Sequence, residues 1–176
     1  MSPNVKSWHI AQMNVGTTVE AIDHPRIADF VAQLDEINAL ADCSPGFVWR
    51  LQSESGNATD IKPTGTNAPD DPYFIVNMSL WDSVESLFDF VYKTVHRHVM
   101  ARRREWFEKP VTGYQVLWWV PAGHKPTVEE GLARLAKLNA EGPTPHAFTF
   151  KARFPVPDQI GAPEDMQPEP YCVGWE

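Results

Sequence analysis

The sequence has little cysteine: Cys43 and Cys172 are its two cysteines, and they lie far apart in the chain. Two isolated cysteines provide neither the disulfide framework of a small secreted domain nor the clustered thiolates of a metal site. The histidines outside the 90s show no metal-ligand spacing with one another, so no mononuclear metal site is predicted. They are interpreted as structural residues: His9, His24, His124 and His146.

Long hydrophobic runs are also missing. No stretch approaches the roughly 18 consecutive apolar residues of a membrane span. The start of the chain, MSPNVKSWHI, lacks the apolar centre of a signal peptide. The sequence therefore predicts a soluble, cytoplasmic protein with no membrane partner.

Positive charge is scarce, because 15 basic against 23 acidic side chains give a net charge of −8. This balance disfavours a nucleic-acid partner. The one basic run, Arg102–Arg104, has Glu105 and Glu108 at helical spacing, which is typical of a solvated face with ion pairs. An inward-facing arginine of this run is a candidate for binding a propionate or carboxylate. A small, largely apolar molecule is the favoured partner.

Apolar and aromatic residues, in contrast, are plentiful. The 176 residues are 43% apolar and 11% aromatic, with 7 Trp, 9 Phe and 4 Tyr, which is enough for a sizeable core and excludes wholesale disorder. The length corresponds to one domain, assigned to residues 1–154. Residues 155–176 are rich in proline and are predicted to form an extended tail.

The apolar spacing predicts alternating strands and helices. A long polar loop, 52–72, separates the second and third strands, and loops of that length are usually functional lids or disordered. Asp82 with Glu85 and Thr127 with Glu130 resemble capping boxes at helix starts. The predicted strands are 8–14, 47–51, 73–81, 113–120 and 147–154, and the predicted helices run over 27–40, 82–107 and 128–141.

This order predicts an α+β protein with the ferredoxin-like pattern βαββαβ and a C-terminal αβ extension. The strands place Trp or Tyr on both sets of alternating positions, so both faces of the sheet need a cover. The same face of a second copy would provide it in a homodimer with a dimeric α/β barrel. The alternative is that the extension helix and the tail cover the second face.

The family resemblance rests on four stretches: FVWRL, VNMSLWDSVESLFDFVY, His-Arg-His followed by RRREWFE, and YQVLWWVPAGHKPTVEEGLARL. Over about residues 6–154 they resemble an uncharacterised family related to the antibiotic-biosynthesis monooxygenases of the dimeric α/β-barrel superfamily. More distantly, Leu80–Ser83 followed by His-x-His is similar to the small haem-degrading monooxygenases of that superfamily.

The haem-degrading relatives imply a set of haem-contacting residues. They place the iron-binding histidine at His96, which would be a metal ligand only as the axial ligand of a haem, and a polar distal residue at Asn14 or Gln12. Phe90 stands where these relatives have a tryptophan. This difference from the family pattern argues against haem degradation, but it leaves open a His-ligated haem that carries out other chemistry. Members that use no cofactor imply instead that Asn, Trp and His side chains deprotonate an electron-rich aromatic substrate that reacts with dioxygen.

Two histidines compete for the inward position. On an unbroken helix His98 shares the apolar stripe of the second helix, and His96 does not. A kink at Lys93–Thr94 would instead align His96 with Val99, Met100, Arg103 and Phe107. The family pattern favours His96. The alternative without a functional role is that His96 is a partly exposed helix residue paired with a carboxylate.

The sequence thus predicts a monooxygenase-like or related redox enzyme acting on a small hydrophobic or aromatic molecule, with no cofactor or with a His-ligated haem. The alternative is a non-catalytic protein that binds haem or a small apolar ligand, because a fold does not fix a function. Neighbouring strand residues point to opposite faces, so at most one of Trp118 and Trp119 should line the pocket. The catalytic candidates are His96, Asn14 and Trp81, the cofactor-binding candidates are His96, His98, Phe90 and Arg103, and the pocket candidates are Gln12, Asn77, Trp118 and Trp119.

Overall fold

The computed structural model describes residues 7–94 and 96–159. Its four strands form one antiparallel sheet in the order β2-β3-β1-β4, which confirms the ferredoxin-like prediction. The strands are β1 (Trp8–Thr17), β2 (Phe47–Arg50), β3 (Phe74–Trp81) and β4 (Gln115–Pro121). The helices are α1 (Ala28–Asp42), α2 (Val84–Lys93), α3 (His96–Ala101) and α4 (Val128–Glu141), with 3-10 turns at Pro25–Ile27, Arg103–Glu105 and Pro157–Gln159. None of the helices in the described ranges is both long and apolar enough to cross a membrane.

The central strand β1 divides the interior into two apolar layers. Because strand residues alternate, Ile10, Gln12 and Asn14 point to the side that carries α1, α2 and α3, here called the helical face. Ala11 and Met13 point to the opposite side, here called the α4 face. Each layer has its own buried cluster, so both faces are covered, as the double-sided aromatic pattern indicates.

The second face is covered by the chain's own helix α4, which packs on β1, β3 and β4. Its apolar stripe, which includes Leu132 and Leu135, joins the core of the α4 face. Gly131 lets the helix approach closely, since a Cβ there would lie 2.7 Å from Met13 Sδ. A second copy is therefore not needed to cover this face, and the dimer stays a prediction. The predicted tail lies outside the described residues from residue 160 onward.

Helix α4 also begins and ends where its sequence signals stand. The Thr127 side chain accepts a hydrogen bond from the Glu130 backbone N–H, and Gly142 follows the helix at a φ of 78°. At α2 the cap is Ser83, which accepts from the Ser86 N–H, and not Asp82 as predicted. Asp82 supports that cap from outside, because its carboxylate accepts from both serine hydroxyls.

The second predicted helix does not run unbroken from 82 to 107. It ends at Lys93, and Thr94 adopts an extended backbone with φ −106° and ψ −179°. The Thr94 hydroxyl donates to the Phe90 carbonyl 2.5 Å away, which takes up a carbonyl at the end of α2. The kink alternative is therefore confirmed. Helix α3 restarts at His96 and gives way to a 3-10 turn at Arg103–Glu105.

The predicted fifth strand is wrong. Residues 147–154 pair with β4 only through a bridge between Leu117 and Phe148, whose backbone groups exchange two hydrogen bonds of 2.9 Å. Beyond it the Thr149 hydroxyl accepts from the Ala152 N–H and bends the chain away from the sheet. The alternating phenylalanines of this segment reflect packing on the helical face, where Phe148 and Phe150 are buried.

Candidate functional site

A cavity of about 130 Å³ lies between the helical face of the sheet and helices α1 and α3. A smaller pocket of about 40 Å³ adjoins it and shares the side chains of Asn14, Asn77 and His96. The walls are mostly apolar and come from different elements. Among them are Phe30, Leu34 and Ile37 of α1, Met100 of α3, and Trp106 and Phe107 beyond it.

Two asparagines form the floor of the cavity. Asn14 on β1 and Asn77 on β3 are opposite each other in the strand register. Asn77 is the one exposed residue of β3, whose other positions are all buried. The Asn14 Oδ1 atom is buried without a hydrogen-bond partner among the described residues. Carboxamides at the centre of an apolar sheet face need hydrogen-bond partners that apolar neighbours do not supply. A few such polar groups on an otherwise apolar wall are typical of a binding site.

The break between α2 and α3 turns His96 toward this floor. Its Nδ1 lies 3.4 Å from the Val91 carbonyl oxygen, which only accepts hydrogen bonds, so Nδ1 carries the proton and donates. The Nε2 lone pair of the neutral ring is then left for another partner. The Phe90 ring lies beside the imidazole, with the two ring centroids 5.1 Å apart.

The surroundings keep the His96 imidazole neutral. Burial lowers its pKa below the usual 6.5, and the positive charge of Arg103 lowers it further. The hydrogen bond to Val91 acts in the opposite sense and raises it. A neutral imidazole with its Nδ1 proton anchored is a competent proton acceptor at Nε2 near neutral pH.

An aromatic stack backs the histidine. Trp81 is fully buried and stacks on Phe90 with their centroids 5.0 Å apart. The Trp81 Nε1–H donates to the Ser79 hydroxyl at 2.9 Å, and the Gln12 amide donates to the same oxygen at 3.1 Å. The polar groups of Trp81 and Gln12 are thus engaged with Ser79. Both residues line the smaller pocket, and they fix the stack that supports His96.

Two arginines line the larger cavity. Arg50 makes a two-point contact with the Asp42 carboxylate at 2.8 and 3.3 Å and donates to the Gly56 carbonyl. The Arg103 guanidinium lies over the Tyr114 ring, 4.0 Å from its centroid. Arg102 instead points outward to Glu105 and Asp29, as the ion-pair interpretation of this basic run predicts.

The loop after β2 forms part of the cavity wall, which the sequence did not indicate residue by residue. Ala58 and Thr59 line the cavity. The neighbouring Asn57 accepts a hydrogen bond of 2.7 Å from the Asn38 amide of α1. The only sequence signal is the length of the polar loop, since the residues that anchor it are ordinary for loops and helix surfaces.

Three of the predicted site residues lie away from the cavity. His98 is exposed, because the restart of the helix at His96 rotates it outward. Trp118 lies on the α4 face and donates to Glu130 of α4 at 3.2 Å. Trp119 lies on the helical face, but its Nε1–H donates to the Phe154 carbonyl and the segment before that residue covers it.

The site does not fit a haem. His96, with Nδ1 on a carbonyl, has the features of an axial ligand. The cavity, however, is close in volume to engineered cavities of about 150 Å³ that hold benzene. A macrocycle of four pyrrole rings is several times larger than one such ring. With Asn57 attached to α1, the space between the sheet, α1 and the loop fits a small ring and not a macrocycle.

The solved structures with a similar chain course include proteins of unknown role. A protein of unknown function from Nitrosomonas europaea is 10% identical with a TM-score of 0.41, over 69% of this chain and 96% of that chain. Rv0793 from Mycobacterium tuberculosis is 11% identical with a TM-score of 0.41, over 68% of this chain and 99% of that chain. A candidate antibiotic biosynthesis monooxygenase from Chloroflexus aurantiacus is 14% identical with a TM-score of 0.36, over 68% of this chain and 98% of that chain.

No curated protein matches the chain. The comparison with family models does give a match, and it covers most of the length, from residue 9 to residue 163. The chain therefore belongs to the family described as a domain of unknown function, DUF3291.

Proposed function

We propose that the protein is an oxygenase that uses no cofactor and oxidises a small phenol in the cavity beside His96. The observation that carries the proposal is a neutral, anchored imidazole in a small aromatic cavity with carboxamides on its floor. The resemblance to the antibiotic-biosynthesis monooxygenases favours the same chemistry. In such reactions the substrate itself supplies the electrons that reduce dioxygen.

The reaction begins with a proton transfer. His96 Nε2 takes the phenolic proton, and the resulting phenolate passes one electron to dioxygen. The two radicals join at the ring carbon opposite the oxygen and form a hydroperoxide. Its O–O bond breaks as that carbon loses its hydrogen as a proton, which gives a quinone and one water. One phenol and one dioxygen thus yield one quinone and one water, and the protons balance through the imidazole.

The surrounding residues assist the first step. The positive charge of Arg103, which lowers the pKa of His96, also stabilises a phenolate formed beside it. The apolar side chains that α1 and α3 place around the cavity lower the local polarity, which strengthens that interaction. The Asn77 amide provides a hydrogen-bonding group on the floor to orient the ring.

The direct test is oxygen uptake by the full chain with phenols that have a free para position, such as phenol and 1-naphthol. We expect one dioxygen consumed per quinone formed, without added metal, flavin or haem. His96→Gln should lower the rate by about 10²-fold or more, as expected for loss of a general base. His98→Gln is the matched control and should keep the full rate, because that side chain is exposed.

Two outcomes would contradict the proposal. Equal loss of rate in both histidine variants would remove the special role of His96. Phenol binding without any oxygen uptake would make the chain a binding protein of the same fold, which is the alternative function.

A further inference from the structure

The charge of the cavity is opposite to that of the chain. The whole sequence carries −8. Yet among residues 7–94 and 96–159, no aspartate or glutamate lines the larger cavity or the adjoining pocket. The ionisable side chains that do line them are Arg50, Arg103, Tyr114 and the neutral His96, and of these the two arginines are charged. In an acidic protein, a mostly apolar cavity whose charged lining residues are both arginines favours an apolar ligand that carries a negative group.

The two arginines differ in how they are placed. Arg50 is largely covered, with 13% of its side chain exposed, and Asp42 offsets its charge through two hydrogen bonds. It also holds Gly56 of the loop, so its main role is structural. Arg103 is half-buried, and Tyr114 supports one face of its guanidinium plane.

The field of Arg103 reaches the reactive end of the cavity. Its positive charge is one of the causes that lower the pKa of His96, so the two side chains are electrostatically coupled across the site. A guanidinium in a partly desolvated position interacts with a carboxylate more strongly than in water. Its planar fork also fixes the orientation of that carboxylate.

We propose that the cavity is selective for ring compounds that carry a carboxylate, with Arg103 as the specificity-determining residue. The substrate class would be hydroxylated aromatic acids, with the carboxylate toward Arg103 and the ring between the floor asparagines and α1. The inference deepens the proposed function and rests on it for the reaction, but binding selectivity is measurable without any turnover.

The test is calorimetric titration of the full chain, without oxygen, with 3-hydroxybenzoate and with its neutral match 3-hydroxybenzamide. We expect the acid to bind at least about tenfold more tightly, a difference within the range of one charged hydrogen-bonded contact. Arg103→Gln should reduce this preference about tenfold and leave binding of the amide nearly unchanged. Arg102→Gln, which alters an outward ion pair, should leave both affinities as they are.

Equal affinities for acid and amide, or a parallel loss of both in Arg103→Gln, would overturn the inference. If Arg103→Gln does not fold, the unaltered chain still decides the matter. Its preference for the acid should shrink when the salt concentration is raised about tenfold, because screening weakens the charged contact. A preference that is absent at low salt, or unmoved by salt, would equally overturn it.

The two proposals fail separately. A strong preference for the acid together with no oxygen uptake on any phenol would leave the selectivity standing and remove the oxygenase. Oxidation of neutral phenols without any preference for the acid would leave the oxygenase standing and remove the selectivity.

Discussion

His96 and Val91 are joined across the break between α2 and α3, with Nδ1 of the imidazole 3.4 Å from the carbonyl oxygen. Val91 lies in the last turn of α2, where backbone carbonyls have no partner within the helix. The same break that turns the histidine inward therefore also supplies the group that sets its tautomer. The orientation and the protonation of the imidazole have one structural cause.

The lowered pKa of His96 predicts how stability changes with pH. The unfolded chain takes up a proton on this histidine near 6.5, whereas the folded chain does so only at lower pH. The unfolded state thus binds more protons in that interval, and the free energy of unfolding should fall as the pH drops through 6.5. His96→Gln should flatten this part of the profile, as measured by urea unfolding at each pH.

The exposed His98 provides the control for that profile. His98→Gln should keep the loss of stability seen in the unaltered chain. A His96→Gln protein with the same pH profile as the unaltered chain would show that the imidazole is not protected from protonation in the folded state.

The stack of Phe90 between Trp81 and His96 predicts a large cost for its removal. Phe90 is 9% exposed and contacts both rings. Phe90→Ala should lower the free energy of unfolding by about 3–5 kcal/mol, since it removes buried area and leaves a void. Val111→Ala, at a residue that is 99% exposed, should change it by less than about 0.5 kcal/mol. Denaturant unfolding of both variants provides the comparison, and similar small effects would contradict the stack.

The contact between Asn38 and Asn57 predicts that the loop can be released without unfolding the sheet. Asn57→Ala removes the 2.7 Å hydrogen bond to α1 and a longer one to Asp35. We expect faster amide hydrogen exchange in residues 52–60 and little change in β1 and β3. Asn67→Ala, an exposed position further along the same loop, is the control. Unchanged exchange in the Asn57 variant would mean that this contact does not hold the loop.

The close approach of α4 to the sheet predicts the effect of filling Gly131. A side chain there meets Met13 and, 3.4 Å from its Cβ, Trp118. Gly131→Leu should lower the free energy of unfolding by about 1–3 kcal/mol through overpacking, even though leucine favours helices. Ala133→Leu on the exposed side of the same helix should not, and thermal unfolding compares the two. A stabilised Gly131→Leu protein would contradict the tight seating of α4.

Local patterns were enough to predict most of the sheet, but for the second helix they left both an unbroken course and a kink at Lys93–Thr94 open, and the structure has the break. Alternation located β1 and β3, and Thr127 with Gly142 marked both ends of α4. The fifth strand was wrong, because the period of Phe148 and Phe150 reports burial against helices and not pairing with a strand. The period of apolar residues shows which side of a segment is buried, and it does not show which segment its backbone groups form hydrogen bonds with.

The site was predictable in part. Asn14 and Asn77 are polar residues within apolar strands, which the sequence shows directly, whereas His96 was favoured over His98 by the family resemblance. The positions of Arg50, Asn38 and Thr59 depend on how the loop folds back on α1, which no local pattern encodes. Trp118 and Trp119 lie on opposite faces, as their neighbouring strand positions predict. Neither lines the cavity, because α4 covers Trp118 and the segment before Phe154 covers Trp119, and no local pattern encodes either contact.

Nitrogen-detected NMR of the histidine side chains in ¹⁵N-labelled protein reports the tautomer, the pKa and the ligand contact of His96 together. We expect His96 to have its proton on Nδ1 and a pKa below 6.5, and its Nε2 resonance to shift when a phenol is added. A proton on Nε2, a pKa at or above 6.5, or an Nε2 resonance that phenol leaves unchanged would contradict the proposed function.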